Sequence, residues 1–418
     1  MNRWNRAIEG SLDELLKDRE ALAVRNMTLA EAYHQRPLRH RLRHLLLQLF
    51  SSVHIPPSSH IPETERILLI RPDHIGDVLL TTPAMRALRD HYPNAEIHAL
   101  VNPISAAVLK DLSAIDLVLT LSFPGFTRTK ATNLRVPYSF AIQTARRLRK
   151  VGYTQAIIFR PDHWWGAWLA YMAGIPVRVG YAQEDTAPFL TQSLPPQHDH
   201  IVTQSLRLVA LLTGQPLDPE QSTYHFPLTA PDRAYIDGYL EEWGLAKDDV
   251  LLCIHPGSGA KAKLWEVEKW AKTADILCEQ LSARVVFTGS DSELPLIRKV
   301  IQHMEVSPVV VAGDTSLGQL GALYERASVV LGPDSGPMHL AAAVGTPTVT
   351  LYGPADPVEF GPWGDPRRHV VLTTDIACRP CRVLDWSSDD PRYHPCVRDI
   401  TVTQVLSAAR LVAAHGQS

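Results

Sequence analysis

The sequence predicts an α/β protein built from two doubly wound, Rossmann-like lobes. Short apolar runs alternate with helical patterns, which indicates parallel strands covered by helices. The alternation runs from residue 66 to about residue 225, and it starts again near residue 232 after a stretch rich in proline and polar residues. The 418 residues suffice for two lobes with substantial cores. Two such lobes predict an interlobe cleft at the carboxyl ends of the two sheets, where ligands of open α/β sheets bind.

Composition and charge argue against several classes of protein. Hydrophobic residues make up 45% of the chain and charged residues 20%, as in ordinary globular proteins. The formal net charge of −3 argues against a nucleic-acid-binding protein, which usually carries a strong basic excess. No apolar run reaches the roughly 18 residues of a transmembrane helix, and the N-terminus lacks an apolar signal core, so we expect a cytoplasmic protein. Five cysteines, an odd number, do not indicate a disulfide framework.

Residues 1–60 are predicted to form a helical, basic extension. Leucines spaced among charged residues predict a helix over residues 8–33. The basic stretch at 36–44 then runs into the apolar stretch at 45–50. This pattern suits either an anionic membrane surface or a helix packed on the main body. Residues 51–62, rich in serine, proline and histidine, are predicted to form a linker.

The first lobe is predicted over residues 61–225. Its strands are expected at the short apolar runs 67–70, 97–101, 117–119 and 156–159. A loop follows the first of these runs, and a helix is predicted from about residue 78 to residue 91. Gly76 in that loop permits close approach of a ligand. Asp77 at the helix start could accept the proton of an attacking hydroxyl, or it could simply cap the helix.

The second lobe is predicted over residues 226–375. Its strands are expected at 250–254, 284–288, 309–312, 329–331 and 348–352, and its helices include 232–243 and 267–281. The C-terminal segment, residues 376–418, is predicted to return to the first lobe.

The most informative stretch follows the predicted strand at 329–331. Asp334, Ser335 and Gly336 precede an apolar helix that has Pro337 in its first turn and carries His339. Free amides and the helix dipole make such a terminus suitable for a diphosphate, although a plain strand–turn–helix cap is the alternative. Asp334 would repel a phosphate, so it could order the loop or bind a divalent cation.

Two further loops of this lobe carry candidate groups. Gly257 and Ser258 form a turn that is followed by Lys263, which could bind an anion, although the spacing is not that of a P-loop. Solvated lysines are the alternative. Asp291 and Glu293 follow the strand at 284–288 and could accept hydrogen bonds from ribose hydroxyls. The alternative is that Asp291 only helps to form the turn.

Four residues near the C-terminus have side chains that can bind metal. Zinc could be held in a tetrahedral site by Cys378, Cys381, His394 and Cys396. The first two have the spacing of a zinc-ligand pair, but His394 and Cys396 do not match the usual second pair of a zinc motif. We therefore predict buried free thiols and no metal, with these four residues as the alternative.

Taken together, these stretches resemble glycosyltransferase family 9, the heptosyltransferase family, over about residues 65–403. The resemblance is carried by Ile-Gly-Asp-Val at 75–78 with Pro83, by Lys-Leu-Trp at 263–265 with Trp270, and by Asp-Ser-Gly-Pro-Met-His-Leu-Ala-Ala-Ala at 334–343. Glu266 departs from the family pattern, which often has proline there. The resemblance implies a GT-B fold, with the acceptor on the first lobe and the donor mainly on the second.

The resemblance also implies an inverting transfer of a sugar, heptose in type, from a nucleotide-diphosphate donor such as ADP-heptose. The acceptor would be a hydroxyl of a cell-surface glycan or lipopolysaccharide, and contact with the inner membrane surface is an open alternative. Asp77 corresponds to the general base and Lys263 to the phosphate ligand. The donor loop corresponds to Asp334, Ser335, Gly336 and His339, and Asp291 or Glu293 approximates the ribose ligand.

No cofactor is implied as required, although a divalent cation beside the donor diphosphate stays an open alternative. Two other functions are compatible with the sequence. One is a different GT-B enzyme, such as a nucleotide-sugar epimerase, and the other is a non-catalytic sugar-nucleotide-binding protein.

Overall fold

A computed structural model of the protein describes residues 18–35, 38–58, 62–126, 136–384 and 393–415. Contacts divide these residues into two compact units. The first lobe holds the described residues from 38 to 227, and the second lobe holds those up to 35 together with those from 228 onward. The boundary at 227 falls within the proline-rich stretch that was predicted to link the lobes.

The first lobe contains a six-stranded parallel sheet. Its strands are β1 (Arg66–Arg71), β2 (Glu96–Val101), β3 (Leu117–Thr120), β4 (Gln155–Ile158), β5 (Val177–Tyr181) and β6 (Gln192–Leu194). Their spatial order is β3-β2-β1-β4-β5-β6, so the strand order reverses between β1 and β4. Four consecutive side chains of β1, residues 67–70, are completely buried, as expected for a central strand covered on both faces. The loops that follow β1 and β4 therefore lie at the switch point, where open α/β sheets bind ligands.

The second lobe repeats this architecture. Its strands are β7 (Leu251–Ile254), β8 (Arg284–Gly289), β9 (Val309–Ala312), β10 (Val329–Pro333), β11 (Thr348–Leu351) and β12 (His369–Leu372), all parallel. The order β12-β11-β10-β7-β8-β9 puts the switch point between β10 and β7. The two sheets confirm the predicted fold class of two doubly wound α/β lobes.

Helices cover both sheets. They are α1 (Arg19–His34), α2 (Leu38–Ser51), α3 (Ile75–His91), α4 (Val136–Val151), α5 (Trp164–Met172), α6 (Ile201–Thr213), α7 (Ala230–Glu242), α8 (Val267–Leu281), α9 (Leu294–Ile301), α10 (Leu317–Arg326), α11 (Gly336–Ala343), α12 (Pro357–Phe360), α13 (Pro395–Arg398) and α14 (Val402–His415). Within the described ranges, no helix combines the length and the apolar character that crossing a bilayer requires.

The residues predicted as one N-terminal extension are shared between the two lobes. Helix α1 belongs to the second lobe, where Leu22 is completely buried and Asn26 Nδ2 donates to the carbonyl of Tyr393 at 2.8 Å. Helix α2 belongs to the first lobe. The predicted helix began at residue 8, and its residues 8–17 lie outside the described part of the chain.

The prediction that residues 376–418 return to the first lobe is wrong. Helix α14 packs on β10, β11 and β12 of the second lobe, with Val405, Ala409 and Val412 completely buried. These positions lie four and three residues apart, so they form one apolar stripe that covers the sheet. Just before α14, the carbonyl of Ile400 accepts a hydrogen bond from Trp265 Nε1 at 3.0 Å. The segment therefore completes the core of the second lobe.

This packing predicts a large effect of Val405→Asp on stability. The carboxylate would be buried without a partner, which costs about 3–5 kcal/mol of folding free energy. The thermal midpoint measured by circular dichroism should therefore fall by several degrees. Leu411→Gln is the matched control on the same helix, because Leu411 is 53% exposed, and it should leave the midpoint unchanged. Equal midpoints for the two variants would contradict the packing of α14 on the second sheet.

Candidate functional site

The same tetrapeptide, Arg-Pro-Asp-His, lies at the end of β1 (residues 71–74) and just after β4 (residues 160–163). The strands are parallel neighbours, so these two loops lie side by side at the switch point of the first sheet. Arg71 and Asp73 are each 2% exposed, and Arg71 Nε lies 3.1 Å from Asp73 Oδ2. Arg160 Nη1 donates to the other oxygen of Asp73, so this carboxylate ties the two loops together.

Asp77 lies in the first turn of α3, where its side chain is 26% exposed. The helix begins at Ile75, three residues earlier than predicted, and His74 occupies the N-cap position. Asp77 is therefore not the N-cap that the sequence allowed as the alternative. Its carboxylate forms one ion pair with a described residue, Arg71, whose Nη2 is 3.7 Å from Asp77 Oδ1.

The two carboxyl groups at this switch point have opposite pKa shifts. Burial raises the pKa of Asp77, the Asp73 carboxylate raises it further, and the guanidiniums of Arg71 and Arg160 offset only part of this effect. Burial also acts to raise the pKa of Asp73, but there the two guanidiniums outweigh it, and the pKa lies below its ordinary value. Asp73 is thus a permanent anion, whereas Asp77 has the raised proton affinity that suits a general base.

His163 adds an unpaired imidazole to the same region. It is 4% exposed, its ring packs edge-on against Phe123 at 5.3 Å and Phe126 at 5.6 Å, and neither ring nitrogen has a hydrogen-bond partner. Burial lowers the pKa of His163 to about 4, so the ring is neutral near pH 7. A Cβ at Gly166 would lie 2.4 Å from His163 Nδ1, which explains the glycine there.

In the second lobe, Lys263 and Asp334 meet at the corresponding switch point. Lys263 Nζ lies 2.5 Å from Asp334 Oδ2, and Asp334 is 5% exposed. His339 Nε2 is 3.9 Å from the other carboxylate oxygen, and Ser258 Oγ donates to the carbonyl of Asp334 at 3.4 Å. Of the two roles left open for Asp334, the ion pair supports ordering: the carboxylate fixes the ammonium beside the start of α11.

The start of α11 presents a side-chain hydroxyl and the backbone amide of Gly336. Ser335 occupies the N-cap position and Gly336 begins the helix, but the Ser335 side chain makes no capping bond. Its Oγ is buried and has no hydrogen-bond partner. A helix N-terminus with an unpaired hydroxyl and an adjacent ammonium is suited to bind an anion.

Glu293 and Asp291 occupy different surroundings after β8. Glu293 Oε2 accepts from the backbone amide of Ser290 at 2.7 Å, and its Oε1 is 3.8 Å from His255 Nε2. A Cβ at Gly257 would lie 1.9 Å from Glu293 Oε1, so the glycine lets the β7 loop approach this carboxylate. Asp291 lies instead against Gly313, after β9. Of the two candidate ribose ligands, Glu293 is therefore the one beside the β7 loop.

The four candidate zinc ligands are not assembled into a site. In the part of the chain that the structure describes, no group of three or more His, Cys, Asp or Glu side chains could hold a metal ion. Cys378 and Cys396 are buried thiols, and burial raises the pKa of Cys396 to about 12.

Five residues of these two sites were not predicted as functional from the sequence, namely Arg71, Asp73, Arg160, His163 and His255. The repeated Arg-Pro-Asp-His tetrapeptide was the available signal for four of them. His255 follows β7 directly and is 4% exposed. Its sequence context, a histidine before a glycine-rich turn, gives no comparable signal.

The raised pKa of Asp77 predicts that Asp77→Asn stabilises the folded protein near neutral pH. Because the folded-state pKa lies above the unfolded one, ionisation of this carboxyl costs folding free energy as the pH rises through that interval. The thermal midpoint of Asp77→Asn should exceed that of the wild type by a few degrees at pH 7. The difference should disappear below about pH 3.9, the ordinary pKa of aspartate. Asp111→Asn, at an exposed position, is the control, and a destabilised Asp77→Asn variant would disprove the electrostatic assignment.

Comparisons with known proteins show the family to which the chain belongs. The model of glycosyltransferase family 9 (heptosyltransferase) matches residues 141–388. Lipopolysaccharide heptosyltransferase 3 of Escherichia coli is 27% identical over 298 residues, which cover 69% of this chain and 84% of the relative.

Two solved structures have the same fold. The family 9 glycosyltransferase of Veillonella parvula superposes with a TM-score of 0.70 at 25% identity, over 85% of this chain and all of that one. The E. coli ADP-heptose lipopolysaccharide heptosyltransferase II superposes with a TM-score of 0.67 at 20% identity, over 84% of this chain and all of that one. The chain therefore belongs to glycosyltransferase family 9, and it is an enzyme of the heptosyltransferase type with the two-lobed GT-B fold.

Proposed function

We propose that the protein is an inverting glycosyltransferase that transfers a heptose from ADP-heptose to a hydroxyl of a lipopolysaccharide-type acceptor in the cytoplasm. The observation that carries the proposal is the half-buried Asp77 carboxylate with a raised pKa at the switch point of the first sheet. The names of the E. coli relatives support the donor and the acceptor, since one is an ADP-heptose transferase and both act on lipopolysaccharide.

The proposed reaction is a single displacement. Asp77 accepts the proton of the acceptor hydroxyl while the oxygen attacks the anomeric carbon of the heptose. The bond between that carbon and the diphosphate oxygen breaks, and ADP leaves with the electron pair. Attack from the side opposite the diphosphate inverts the configuration at the anomeric carbon.

Lys263 and the start of α11 would stabilise the departing diphosphate. The ammonium is already held by Asp334, so little reorganisation is needed when negative charge develops on the leaving group. The Ser335 hydroxyl and the backbone amide of Gly336 would donate to phosphate oxygens. We propose that Lys263, rather than a divalent cation, supplies the positive charge, and chelation by EDTA should therefore leave turnover unchanged.

The assignment of Glu293 extends this proposal to the nucleoside. Its carboxylate lies beside Gly257 at the end of β7, where a ribose attached to the diphosphate would come close. We propose Glu293 rather than Asp291 as the ribose ligand.

Lys263→Ala should weaken the binding of ADP by about tenfold or more, which corresponds to the loss of a charged hydrogen bond of about 1.5–3 kcal/mol. Isothermal titration calorimetry with the full chain measures this affinity. Lys261→Ala is the matched control, since Lys261 lies in the same short turn but is exposed.

The Lys263→Ala variant also leaves Asp334 unpaired, and a double variant separates the two effects. If Lys263 binds phosphate directly, the double variant Lys263→Ala with Asp334→Asn should bind ADP as weakly as Lys263→Ala alone. If the double variant regains the wild-type affinity, Lys263 serves only to neutralise Asp334, and its assignment as a phosphate ligand is wrong.

Asp77→Asn should lower turnover by at least about a hundredfold, since general-base catalysis contributes about 10²–10⁴-fold. Its affinity for ADP should stay at the wild-type value. The kcat/KM of the wild type should fall as the pH drops through a pKa above the ordinary aspartate range, because the base is lost on protonation. Transfer by folded Asp77→Asn at close to the wild-type rate would remove Asp77 from the mechanism.

The same assay separates the proposed transfer from the alternatives. A transferase releases ADP only when the acceptor is present, an epimerase converts the nucleotide-sugar without an acceptor, and a binding protein does neither. The anomeric configuration of the product, measured by NMR coupling constants, tests inversion.

A further inference from the structure

Helix α2 presents an apolar stripe to solvent. Leu42, Leu45, Leu46 and Leu49 are 57%, 57%, 52% and 69% exposed, at a spacing that places them on one face of the helix. Phe50 and Val53 continue the exposed apolar surface. We call these six residues the leucine stripe. Scattered exposed leucines are normal on proteins, but a contiguous stripe of this kind marks an interaction surface.

The outward orientation of the leucine stripe is fixed by contacts on the opposite side of α2. Leu47 is 1% exposed and lies in the core formed with α4 and α5. Arg43 Nη2 and His44 Nδ1 contact the two carboxylate oxygens of Asp185 at 2.5 Å and 3.0 Å. Tyr171 donates to the carbonyl of Ser51 at 3.1 Å. The polar side of α2 thus faces the protein and the apolar side faces solvent, the reverse of an ordinary surface helix.

Helix α4, which carries exposed cations, contacts the chain segment that follows α2. The contact lies at the end of α4, where Ser58 Oγ donates to the carbonyl of Arg149 at 2.9 Å. Trp168 contacts Phe50 at 6.5 Å and Tyr138 at 5.8 Å between ring centroids. The exposed side chains of α4 include Tyr138 and Ile142 in its first half and Arg146, Arg147 and Lys150 in its second half.

The sequence around both helices lacks acidic residues. Residues 32–62 contain four arginines and residues 117–161 contain eight arginines and lysines, and neither segment contains an aspartate or glutamate. The whole chain carries a net charge of −3, so positive charge is concentrated in these two segments. The leucine stripe and the exposed cations of α4 therefore come from segments whose sequence carries no acidic side chain.

We propose that the leucine stripe and the basic end of α4 form a docking surface for an anionic lipid membrane. An interfacial helix inserts its apolar face about 5–10 Å into the boundary of the acyl region, and basic side chains beside it bind anionic headgroups. A second copy of the chain would bury the leucines equally well, but it would bring like charges together without compensation. Anionic lipid satisfies both features of the surface. The inference does not rest on the proposed sugar transfer, because vesicle binding requires no turnover.

Vesicle sedimentation of the full chain tests this proposal. The wild type should bind vesicles of phosphatidylglycerol and phosphatidylethanolamine. It should bind vesicles of phosphatidylcholine alone much more weakly. Leu42→Gln, Leu45→Gln and Leu49→Gln combined should lower the partition coefficient at least tenfold, because the apolar contact is lost while glutamine keeps the helix. Arg146→Gln, Arg147→Gln and Lys150→Gln combined should lower it about fivefold per cation, and only at low salt.

Leu411→Gln is the control for the leucine variant, because it removes an equally exposed leucine from α14. It should bind vesicles like the wild type, and all variants should keep the wild-type thermal midpoint. Equal sedimentation of the leucine variant and the wild type would overturn the proposal. So would a wild-type dimer in light scattering that the leucine variant converts to a monomer while neither protein binds vesicles, since the stripe would then join two copies.

Discussion

The buried ion pair between Arg71 and Asp73 is the constraint on which the first switch point depends. Removing two charges from water is costly, and the attraction between them offsets that cost only when the geometry is good and further partners are present. Arg160 supplies the further partner from the neighbouring strand. Asp73 therefore ties the β1 and β4 loops together, and α3, which carries Asp77 in its first turn, begins two residues after Asp73.

The same network determines the chemistry available to Asp77. Asp73 keeps its charge because two guanidiniums surround it, and that charge lies close enough to raise the pKa of Asp77. A general base works best when its proton affinity is raised toward the working pH. Arg71 contacts both carboxylates, but it lies 3.1 Å from Asp73 and 3.7 Å from Asp77. The shorter distance assigns its charge mainly to Asp73, which leaves Asp77 available as a proton acceptor.

The second lobe also has a buried charged pair at its switch point, but there the accessible group is a cation. There a carboxylate, Asp334, holds an ammonium beside a helix start, so the charge that remains available is positive. An isolated Asp334 would repel a diphosphate, and its pairing with Lys263 removes this difficulty. The first switch point thus carries a carboxylate with a raised pKa, and the second carries an ammonium and an unpaired hydroxyl beside a helix start.

The sequence predicted those parts of the structure that local patterns determine. Central strands such as β1 and β10 are continuous apolar runs and were located to within two residues. The strands β5, β6 and β12 were missed because they are short or interrupted by polar residues, as by Arg178 in β5. Both motif-bearing loops were identified, and the family resemblance assigned Asp77 and Lys263. Arg160 and His163 were missed because their importance comes from the adjacency of β1 and β4, which are about 90 residues apart in sequence.

Helix α2 is an element whose orientation could not be predicted from its local sequence pattern. Its spacing of leucines predicts an amphipathic helix, and the usual expectation is that the apolar face packs inward. Which face turns inward is decided by Asp185, more than 140 residues away, which binds Arg43 and His44 on the polar side. Leu47 is the one buried leucine among those at 42–49, and the contacts of Arg43 and His44 with Asp185 hold the polar side of the helix. The orientation of an amphipathic helix therefore follows from its long-range charge partners as well as from its hydrophobic pattern.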